Sequence, residues 1–266
     1  MSFAHTMETL SESTQPASAK YAVPALEKGL DILECLSTQG VPMTQAQLAR
    51  ALKREPGELF RMLSCLEARN YVRRGESGGY ELTLKLFELS RTHSPYEQMV
   101  QVAAPLMRDL VDRVQQSCHL CVMHRDQVLV LVQEESPLPI RLSVQVGSLH
   151  SPIKTISGQV ILAHMDLAER DRFLEVHADF LRLNAAERTA FVAQLDRIRA
   201  DGWAHRENVS FVGNLDLSVP VGSTQSQTLA ALTIGALKLT PETDLFECLP
   251  RLRQCAGEIS RICGLP

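Results

Sequence analysis

Near the start of the chain, apolar residues recur every three or four positions in three consecutive segments. The first segment places four leucines on one helical face, at Leu26, Leu30, Leu33 and Leu36. The second opens with the capping-box pattern Thr44-Gln-Ala-Gln. The third opens at Pro56, a residue that suits the first turn of a helix. The spacing predicts three helices between residues 23 and 70.

After these helices the sequence becomes strand-like. Two short runs, residues 71–74 and 80–82, flank the turn-forming sequence Gly-Glu-Ser-Gly-Gly at 75–79. Three helices followed by a hairpin predict a winged helix-turn-helix. In that motif the second and third helices contact DNA, and the hairpin forms the wing.

The rest of the chain mixes strands and helices. A helical stretch at residues 95–116 is predicted to link two domains. Further on, strands are predicted at 118–124, 127–134, 140–146, 203–205, 215–221 and 228–237, and helices at 155–165, 185–200 and 245–263. Antiparallel strands with flanking helices predict an α+β fold. The predicted parts are a disordered tail (1–20), a winged helix-turn-helix domain (21–91), a linker helix (92–117) and an α+β sensor-like domain (118–266).

The composition suits two globular domains. Of the 266 residues, 45% are hydrophobic and 22% charged, which supplies enough apolar material for two cores. Because no run approaches twenty apolar residues and no apolar signal core lies near residue 1, we expect no membrane helix and a cytoplasmic location. Seven cysteines, an odd number, favour a reducing compartment over a disulfide scaffold.

Charge is distributed unevenly along the chain. The net charge is −4, yet residues 44–74 carry seven Lys or Arg against three Glu. Residues 92–266 carry sixteen Lys or Arg against twenty Asp or Glu. A basic segment inside an acidic protein predicts a local anionic partner, which in this motif is double-stranded DNA.

Four sequence runs resemble the IclR family of bacterial transcriptional regulators. They are VPALEKGLDIL at 23–33, LFRML with NYVRR at 59–63 and 70–74, TISGQVILA at 155–163, and GNLDLSVPV with LAALT at 213–221 and 229–233. The resemblance implies a winged helix-turn-helix joined to a GAF-like effector domain. It also implies a homodimer or homotetramer that controls a promoter in response to a small metabolite.

The candidate DNA contacts lie on the predicted winged helix-turn-helix. They are Thr44, Gln45, Arg50, Arg54, Glu58, Phe60, Arg61, Arg73 and Arg74. For the basic residues the alternative is a solvated charged surface. Glu58 would either accept a hydrogen bond from cytosine N4 or sit favourably at the positive end of the helix dipole. Phe60 would either touch a thymine methyl group or be buried against the wing.

The helix start at Ser157-Gly158 is a candidate ligand site. Free N–H groups and the helix dipole at this end suit a carboxylate, although an ordinary helix cap explains the same residues. The family resemblance implies that the effector pocket is lined by Ile156, Ser157, Glu207, Asp216, Thr233 and Gly235. Two carboxylates in one pocket repel each other unless one is protonated, so Asp216 favours a ligand that bears a hydroxyl or amine group. We expect a small organic or polar aromatic acid.

The remaining motifs bear on metal binding, on catalysis and on an alternative function. Cys118 and Cys121 are metal-ligand types, but on a strand they point to opposite faces, so we expect core packing and no metal or other cofactor. The sequence holds no GxSxG, HExxH or P-loop pattern, and we expect no enzyme. The acidic Glu55 and Glu58 keep one alternative function open, a small-molecule sensor whose helix-turn-helix does not bind DNA.

Overall fold

The computed structural model describes residues 23–75, 78–93, 96–208, 213–223, 229–238 and 244–265. The chain divides into two compact units between residues 94 and 95. The predicted tail, residues 1–20, lies outside the described residues. No helix in the described part of the chain is long and apolar enough to cross a membrane.

The N-terminal unit is a winged helix-turn-helix. Its elements are α1 (Pro24–Gln39), α2 (Gln45–Ala51), α3 (Pro56–Ala68), β1 (Val72–Arg74), β2 (Tyr80–Leu82) and α4 (Lys85–His93). The strands β1 and β2 pair antiparallel, and Met43 adds a bridge to Tyr80. The core is formed by Ile32 of α1, Leu48 of α2 and Leu59 of α3, all fully buried, together with the wing residue Tyr80.

The C-terminal unit is an α+β domain built on one six-stranded antiparallel sheet. Its strands are β3 (Ser117–His124), β4 (Gln127–Glu134), β5 (Leu149–His150), β6 (Ala204–Asn208), β7 (Asn214–Val221) and β8 (Ala230–Leu237). Its α-helices are α5 (Glu97–Val114), α6 (Ile156–His164), α7 (Leu167–Val176), α8 (Ala178–Leu181), α9 (Ala185–Asp201) and α10 (Leu249–Ile262). The strand order is β5-β4-β3-β8-β7-β6.

Different helices cover the two faces of this sheet. On one face, Cys118 and Leu120 belong to an apolar cluster that includes α5 and α10. On the other face, Cys121 and Val130 pack with α6 and α9. We call these the α5–α10 face and the α6 face. Cys118 and Cys121 therefore lie on opposite faces, as strand alternation predicts.

The predicted linker helix differs most clearly from the structure. Within residues 92–117, the side chains of Met99, Ala103 and Met107 on α5 are buried in the core of the C-terminal unit. A linker between domains and a helix packed on a sheet show the same amphipathic spacing, so the sequence pattern does not separate them. The C-terminal unit thus includes α5 and does not begin at Cys118.

The strand predicted at 140–146 is an irregular segment in the structure. Residues 135–148, which we call the 135–148 segment, form no strand, and only β5 joins the sheet edge beyond it. Pro137 and Pro139 have no N–H to donate to a ladder, which disfavours strand pairing there. Glu135 holds the segment by accepting hydrogen bonds from Arg141 Nε and Ser143 Oγ, each at 2.7 Å.

The last predicted helix, 245–263, has two parts. A 3-10 turn at Phe246–Cys248 precedes α10. Pro250 lies in the first turn of α10, where its missing N–H leaves no intrahelical bond unmade, so it does not kink the helix. The helices α7 and α8, in contrast, have no counterpart among the predicted elements.

Candidate functional site

The junction of α2 and α3 is held by two of the candidate DNA contacts. Thr44 Oγ1 accepts from Gln47 N at 3.3 Å, and Gln47 Oε1 accepts from Thr44 N at 2.8 Å, which completes the predicted capping box. Gln45 Nε2 donates to the carbonyl oxygen of Pro56 at 2.6 Å. These bonds fix the start of α3 against the start of α2.

The helix α3 presents opposite chemistry on its two sides. Leu59 and Leu63 are fully buried, whereas Phe60 is 58% exposed. Phe60 is thus not buried against the wing. Arg50 and Arg61 are also exposed, and neither forms an ion pair with any residue that the structure describes. An exposed aromatic ring beside unpaired guanidinium groups suits contact with bases and phosphates.

Two candidate side chains are paired with residues of α1. Lys28 Nζ lies 2.5 Å from Glu58 Oε2, and Arg54 Nη2 lies 2.8 Å from Asp31 Oδ2. The hydrogen bond and the charge of Lys28 lower the pKa of the Glu58 carboxyl group. Glu58 is therefore ionised at neutral pH, and its charge is compensated by a neighbouring cation within the same unit.

The wing carries the last two candidate cations. Arg73 Nε lies 2.6 Å from Glu81 Oε1 on the paired strand. The Arg74 guanidinium lies 5.8 Å from the centre of the Tyr80 ring, and its Nε donates to the Gly78 carbonyl oxygen at 3.3 Å. Both arginines stay on the surface, where an ion pair with solvent access is weak and can be exchanged for a phosphate.

In the C-terminal unit, a cavity of about 100 Å³ lies on the α6 face of the sheet. Its walls come from β3, β4, β7, β8 and the first turn of α6, and the 135–148 segment contributes Leu142 and Val144. Four predicted pocket residues line it: Ile156, Ser157, Asp216 and Thr233. The structure thus brings together residues that lie far apart in the sequence.

Gly235, another predicted pocket residue, lies beside the cavity. It pairs with Asp216 across β7 and β8. A Cβ atom on Gly235 would lie 2.6 Å from Leu142 Cδ2, so the absence of a side chain makes room for Leu142 over the sheet.

Glu207, which the resemblance assigned to the pocket, does not line this cavity. It pairs with Leu215, whose side chain belongs to the α5–α10 face, and its carboxylate lies 2.8 Å from Lys238 Nζ. Because strand residues alternate, the preceding residue, Arg206, lies opposite Asp216 on the α6 face. The strand β6 therefore places Arg206, and not Glu207, beside Asp216.

Arg206 and Asp216 form a charged cross-strand pair in a largely buried setting. Arg206 Nη2 donates to the Lys154 carbonyl oxygen at 2.5 Å. Burial lowers the pKa of Arg206 and the charge of Asp216 raises it, and burial is the larger effect. Asp216 is 6% exposed and accepts from Asn214 Nδ2 at 3.3 and 3.4 Å. Asn214 Oδ1 is buried with no hydrogen-bond partner among the described residues.

His119 lines the cavity, although the sequence pattern suggests only core packing for its segment. It is 8% exposed, and its imidazole makes no hydrogen bond to the part of the chain that the structure describes. Burial, followed by the charge of His150, lowers the pKa of His119 to about 4, so the ring is neutral at pH 7. Strand alternation is the signal that could have found it, because His119 must face opposite to Cys118.

Cys121 packs against Ser157 at the edge of the cavity. Burial raises the pKa of the Cys121 thiol to about 12, and a hydrogen bond with Ser157 lowers it by less. A thiol that stays protonated is a poor nucleophile. Among the residues described, no group of three or more His, Cys, Asp or Glu could hold a metal ion.

The first turn of α6 faces the cavity. Thr155 Oγ1 caps the helix by accepting from Gly158 N at 3.3 Å. The N–H groups of Ile156 and Ser157 have no acceptor within the described ranges. A Cβ atom on Gly158 would lie 2.3 Å from Pro152 Cα, so only glycine lets α6 approach the preceding loop this closely.

Two family models match the chain over both units. The model described as "Bacterial transcriptional regulator IclR C-terminal" matches residues 96–261, and "IclR helix-turn-helix domain" matches residues 25–76. The chain belongs to the IclR family. It is therefore a transcriptional regulator with a helix-turn-helix domain and an effector-binding domain, as the sequence resemblance implies.

Individual IclR-family relatives are similar over most of their length. The probable transcriptional regulator SauR of Cupriavidus necator is 27% identical over 242 residues, which cover 88% of this chain and 95% of that protein. The regulator KdgR of Escherichia coli is 27% identical over 225 residues, 82% of this chain and 84% of that one. An IclR homolog from Microbacterium hydrocarbonoxydans, solved in complex with 4-hydroxybenzoate, shares the fold with a TM-score of 0.77 at 19% identity, covering 90% of this chain and 99% of that one.

Proposed function

We propose that this IclR-family regulator binds operator DNA through α3 and the wing, and that a small organic acid in the cavity of the C-terminal unit changes its DNA affinity. The observation that carries DNA binding is the exposed side of α3, where Phe60 and Arg61 face solvent opposite a buried leucine face. In a helix-turn-helix this is the surface that enters the major groove. Acting on chromosomal DNA, the protein would work in the cytoplasm.

The charge pairing of Glu58 argues against the alternative of a sensor that does not bind DNA. That alternative depends on repulsion between the phosphates and acidic residues at the start of α3. Lys28 neutralises Glu58 at 2.5 Å, so this carboxylate adds little uncompensated negative charge. Arg50 and Arg61, exposed and without ion pairs in the described chain, supply the positive charge that attracts DNA.

Two copies of the chain would bind together. The helix α1 exposes Leu26 and Leu30, which are four residues apart and lie on one helical face. Adjacent exposed apolar residues favour association with another protein surface. A second copy of the chain is the natural occupant, because two recognition helices are needed to reach two half-sites one helical turn apart. We therefore propose a homodimer, or a homotetramer made of two such dimers.

An acid is the proposed effector because of the first turn of α6. Ile156 and Ser157 line the cavity, and their N–H groups lie at the positive end of the α6 dipole. The related structure from Microbacterium hydrocarbonoxydans holds 4-hydroxybenzoate, which is itself an acid with a hydroxyl group.

Fluorescence anisotropy with DNA from upstream of the protein's own gene tests the proposal. We expect affinity to fall steeply as salt rises, and Arg61→Ala to weaken binding at every sequence if the residue contacts phosphate. Arg197→Ala is the matched control, since Arg197 is an exposed arginine of the C-terminal unit. A flat salt response, or Arg61→Ala behaving like Arg197→Ala, would contradict DNA binding through α3.

A further inference from the structure

The first two turns of α3 expose few groups that can distinguish one base pair from another. In a helix-turn-helix, residues near the start of the recognition helix contact base edges in the major groove. The exposed residues of these two turns include Gly57, Glu58, Phe60 and Arg61, and the buried Leu59 faces the core. The chemistry of these exposed residues decides which base pairs the helix can recognise.

Two of the four exposed residues are poorly suited to contact a base. Gly57 has no side chain. The carboxylate of Glu58 is engaged by Lys28 Nζ at 2.5 Å. Phe60 and Arg61 are therefore the side chains of these turns that remain for contact with DNA.

The two remaining side chains recognise different features of DNA. The guanidinium group of Arg61, which has no ion pair within the described ranges, is attracted to phosphates of any sequence. The phenyl ring of Phe60 has no side-chain hydrogen-bonding group, so it cannot read the donors and acceptors of a base edge. The apolar group that a base presents in the major groove is the C5-methyl group of thymine. Phe60 is thus suited to distinguish thymine from the other bases.

The ring of Phe60 is placed for such a contact. It belongs to the fifth residue of α3 and is 58% exposed. Gly57 lies one turn earlier on the same side, and a Cβ atom there would meet nothing of the described chain within 4 Å. In the following turn, Ser64 Oγ donates to the Phe60 carbonyl oxygen at 3.0 Å, so its hydrogen is used within the helix. The neighbours of the ring therefore leave its approach to a base open.

We propose that Phe60 helps to set the operator sequence by packing its ring against the C5-methyl group of one thymine in each half-site. The inference rests on the proposed function, in which α3 enters the major groove, and it names the base and the group that are recognised. Because 5-methylcytosine carries a methyl group at the same carbon, it provides at that position the contact that cytosine and uracil lack.

Removal of single methyl groups from the DNA tests the inference on the full chain. Selection of duplexes from a random pool first defines the half-site. Each of its thymines is then replaced by deoxyuridine, which removes the methyl group and keeps every hydrogen-bonding group. We expect one position at which replacement in both half-sites lowers affinity about 10- to 20-fold, because burial of one methyl group contributes about three- to fivefold. A cytosine–guanine pair at that position should gain affinity when the cytosine is methylated at C5. Fluorescence anisotropy at fixed salt measures each affinity.

The variants connect the methyl contact to Phe60. Phe60→Ala should remove the difference between thymine and uracil at that position and leave the salt dependence, which reports phosphate contacts, unchanged. Phe60→Leu keeps an apolar side chain and should keep part of the difference. Phe87→Ala is the matched control, since Phe87 on α4 is also 58% exposed, and it should leave the ratio of the two affinities unchanged. Should Phe60→Ala fail to fold, Phe60→Leu and the deoxyuridine series still decide the outcome.

The opposing results separate this inference from the proposed function. A selected operator in which no deoxyuridine replacement weakens binding would overturn it, and so would a thymine preference that survives in Phe60→Ala. In either case, binding that falls with salt and with Arg61→Ala leaves the proposed function standing. If the full chain selects no DNA, the proposed function fails and the inference fails with it.

Discussion

The two units carry their candidate functional groups in opposite environments. In the N-terminal unit, Phe60 and Arg61 face solvent on a helix whose other side is packed. In the C-terminal unit, His119 and Asp216 are buried within the walls of a cavity. Exposed charges are screened by salt and affect folding little, whereas buried polar groups change stability and pH dependence together. Substitutions of Phe60 and Arg61 should therefore alter DNA binding with little effect on folding, and those of His119 and Asp216 should alter folding and ligand binding jointly.

The largest expected effect comes from Gly158→Ala, which tests how tightly the buried site is packed. Its Cβ atom would lie 2.3 Å from Pro152 Cα and 2.7 Å from the Pro152 carbonyl oxygen, and backbone atoms have little freedom to move. We expect a loss of about 3 kcal/mol or more in the free energy of unfolding. Urea unfolding followed by the fluorescence of Trp203, the single tryptophan, reports on the C-terminal unit.

Gly257→Ala is the matched control for that experiment. Gly257 lies in α10 of the same unit, and a Cβ atom there would meet nothing within 4 Å. Because alanine is the better helix former, this variant should be unchanged or stabilised by up to about 1 kcal/mol. Equal stability of the two variants would show that α6 does not depend on close approach to the loop before it.

Acid should unfold the C-terminal unit in part through His119. Its pKa is about 4 in the folded chain, against 6.5 for an unperturbed histidine, so between these two pH values the unfolded state binds more protons. Stability is therefore retained above pH 6.5 and falls as the pH drops from 6.5 towards 4, by about 3 kcal/mol for this residue. Burial lowers the pKa of His150 and His164 as well, which acts in the same direction.

Urea unfolding of His119→Gln across this pH range measures how much of the pH dependence of stability comes from His119. The variant has no group that titrates there, so its stability should depend less on pH. His124→Gln, an exposed histidine at the end of β3, should keep the full dependence. If His119→Gln and the unaltered chain have parallel profiles, the imidazole is not held neutral by burial.

Local spacing was sufficient to predict the N-terminal unit. The leucine stripes, the capping box at Thr44 and the turn between the wing strands are each signalled within about ten residues of sequence. The spacing left the position of Phe60 open, and the structure shows its side chain exposed next to the buried Leu59. What the spacing did not predict is the pairing of Lys28 with Glu58, because those residues are thirty positions apart.

The cavity was predictable only in part, because its walls depend on pairing between distant strands. Ser157 and Asp216, which the family resemblance assigned to one pocket, line one cavity in the structure. Glu207, which the resemblance assigned to the same pocket, does not line the cavity, because neighbouring strand residues face opposite sides of the sheet and Glu207 pairs with Leu215 of the α5–α10 face. The position of Leu142 follows from no periodicity at all, since the 135–148 segment is irregular.

Gly235→Ala, also in the buried site, should destabilise the C-terminal unit less than Gly158→Ala. The atom in its way, Leu142 Cδ2 at 2.6 Å, is the end of a flexible side chain that can rotate. We expect a loss of about 1 kcal/mol in stability and weaker ligand binding, because Leu142 would be displaced over the cavity. Thermal unfolding and calorimetry measure the two effects. A loss as large as that of Gly158→Ala would show that the 135–148 segment is rigid.

The smallest effect is expected from Glu58→Gln, on the exposed surface of the N-terminal unit. Removing the carboxylate releases Lys28 for a phosphate, so DNA affinity at low salt should rise about two- to fivefold and the salt dependence should steepen by about one phosphate contact. Glu67→Gln makes the same charge change on α3 at a residue with no ion pair among those described, and should raise affinity less and leave the salt slope unchanged. Anisotropy over a salt series on operator and unrelated DNA measures both. If Glu58→Gln instead loses affinity for the operator alone, Glu58 contacts a base, and its pairing with Lys28 must open when DNA binds.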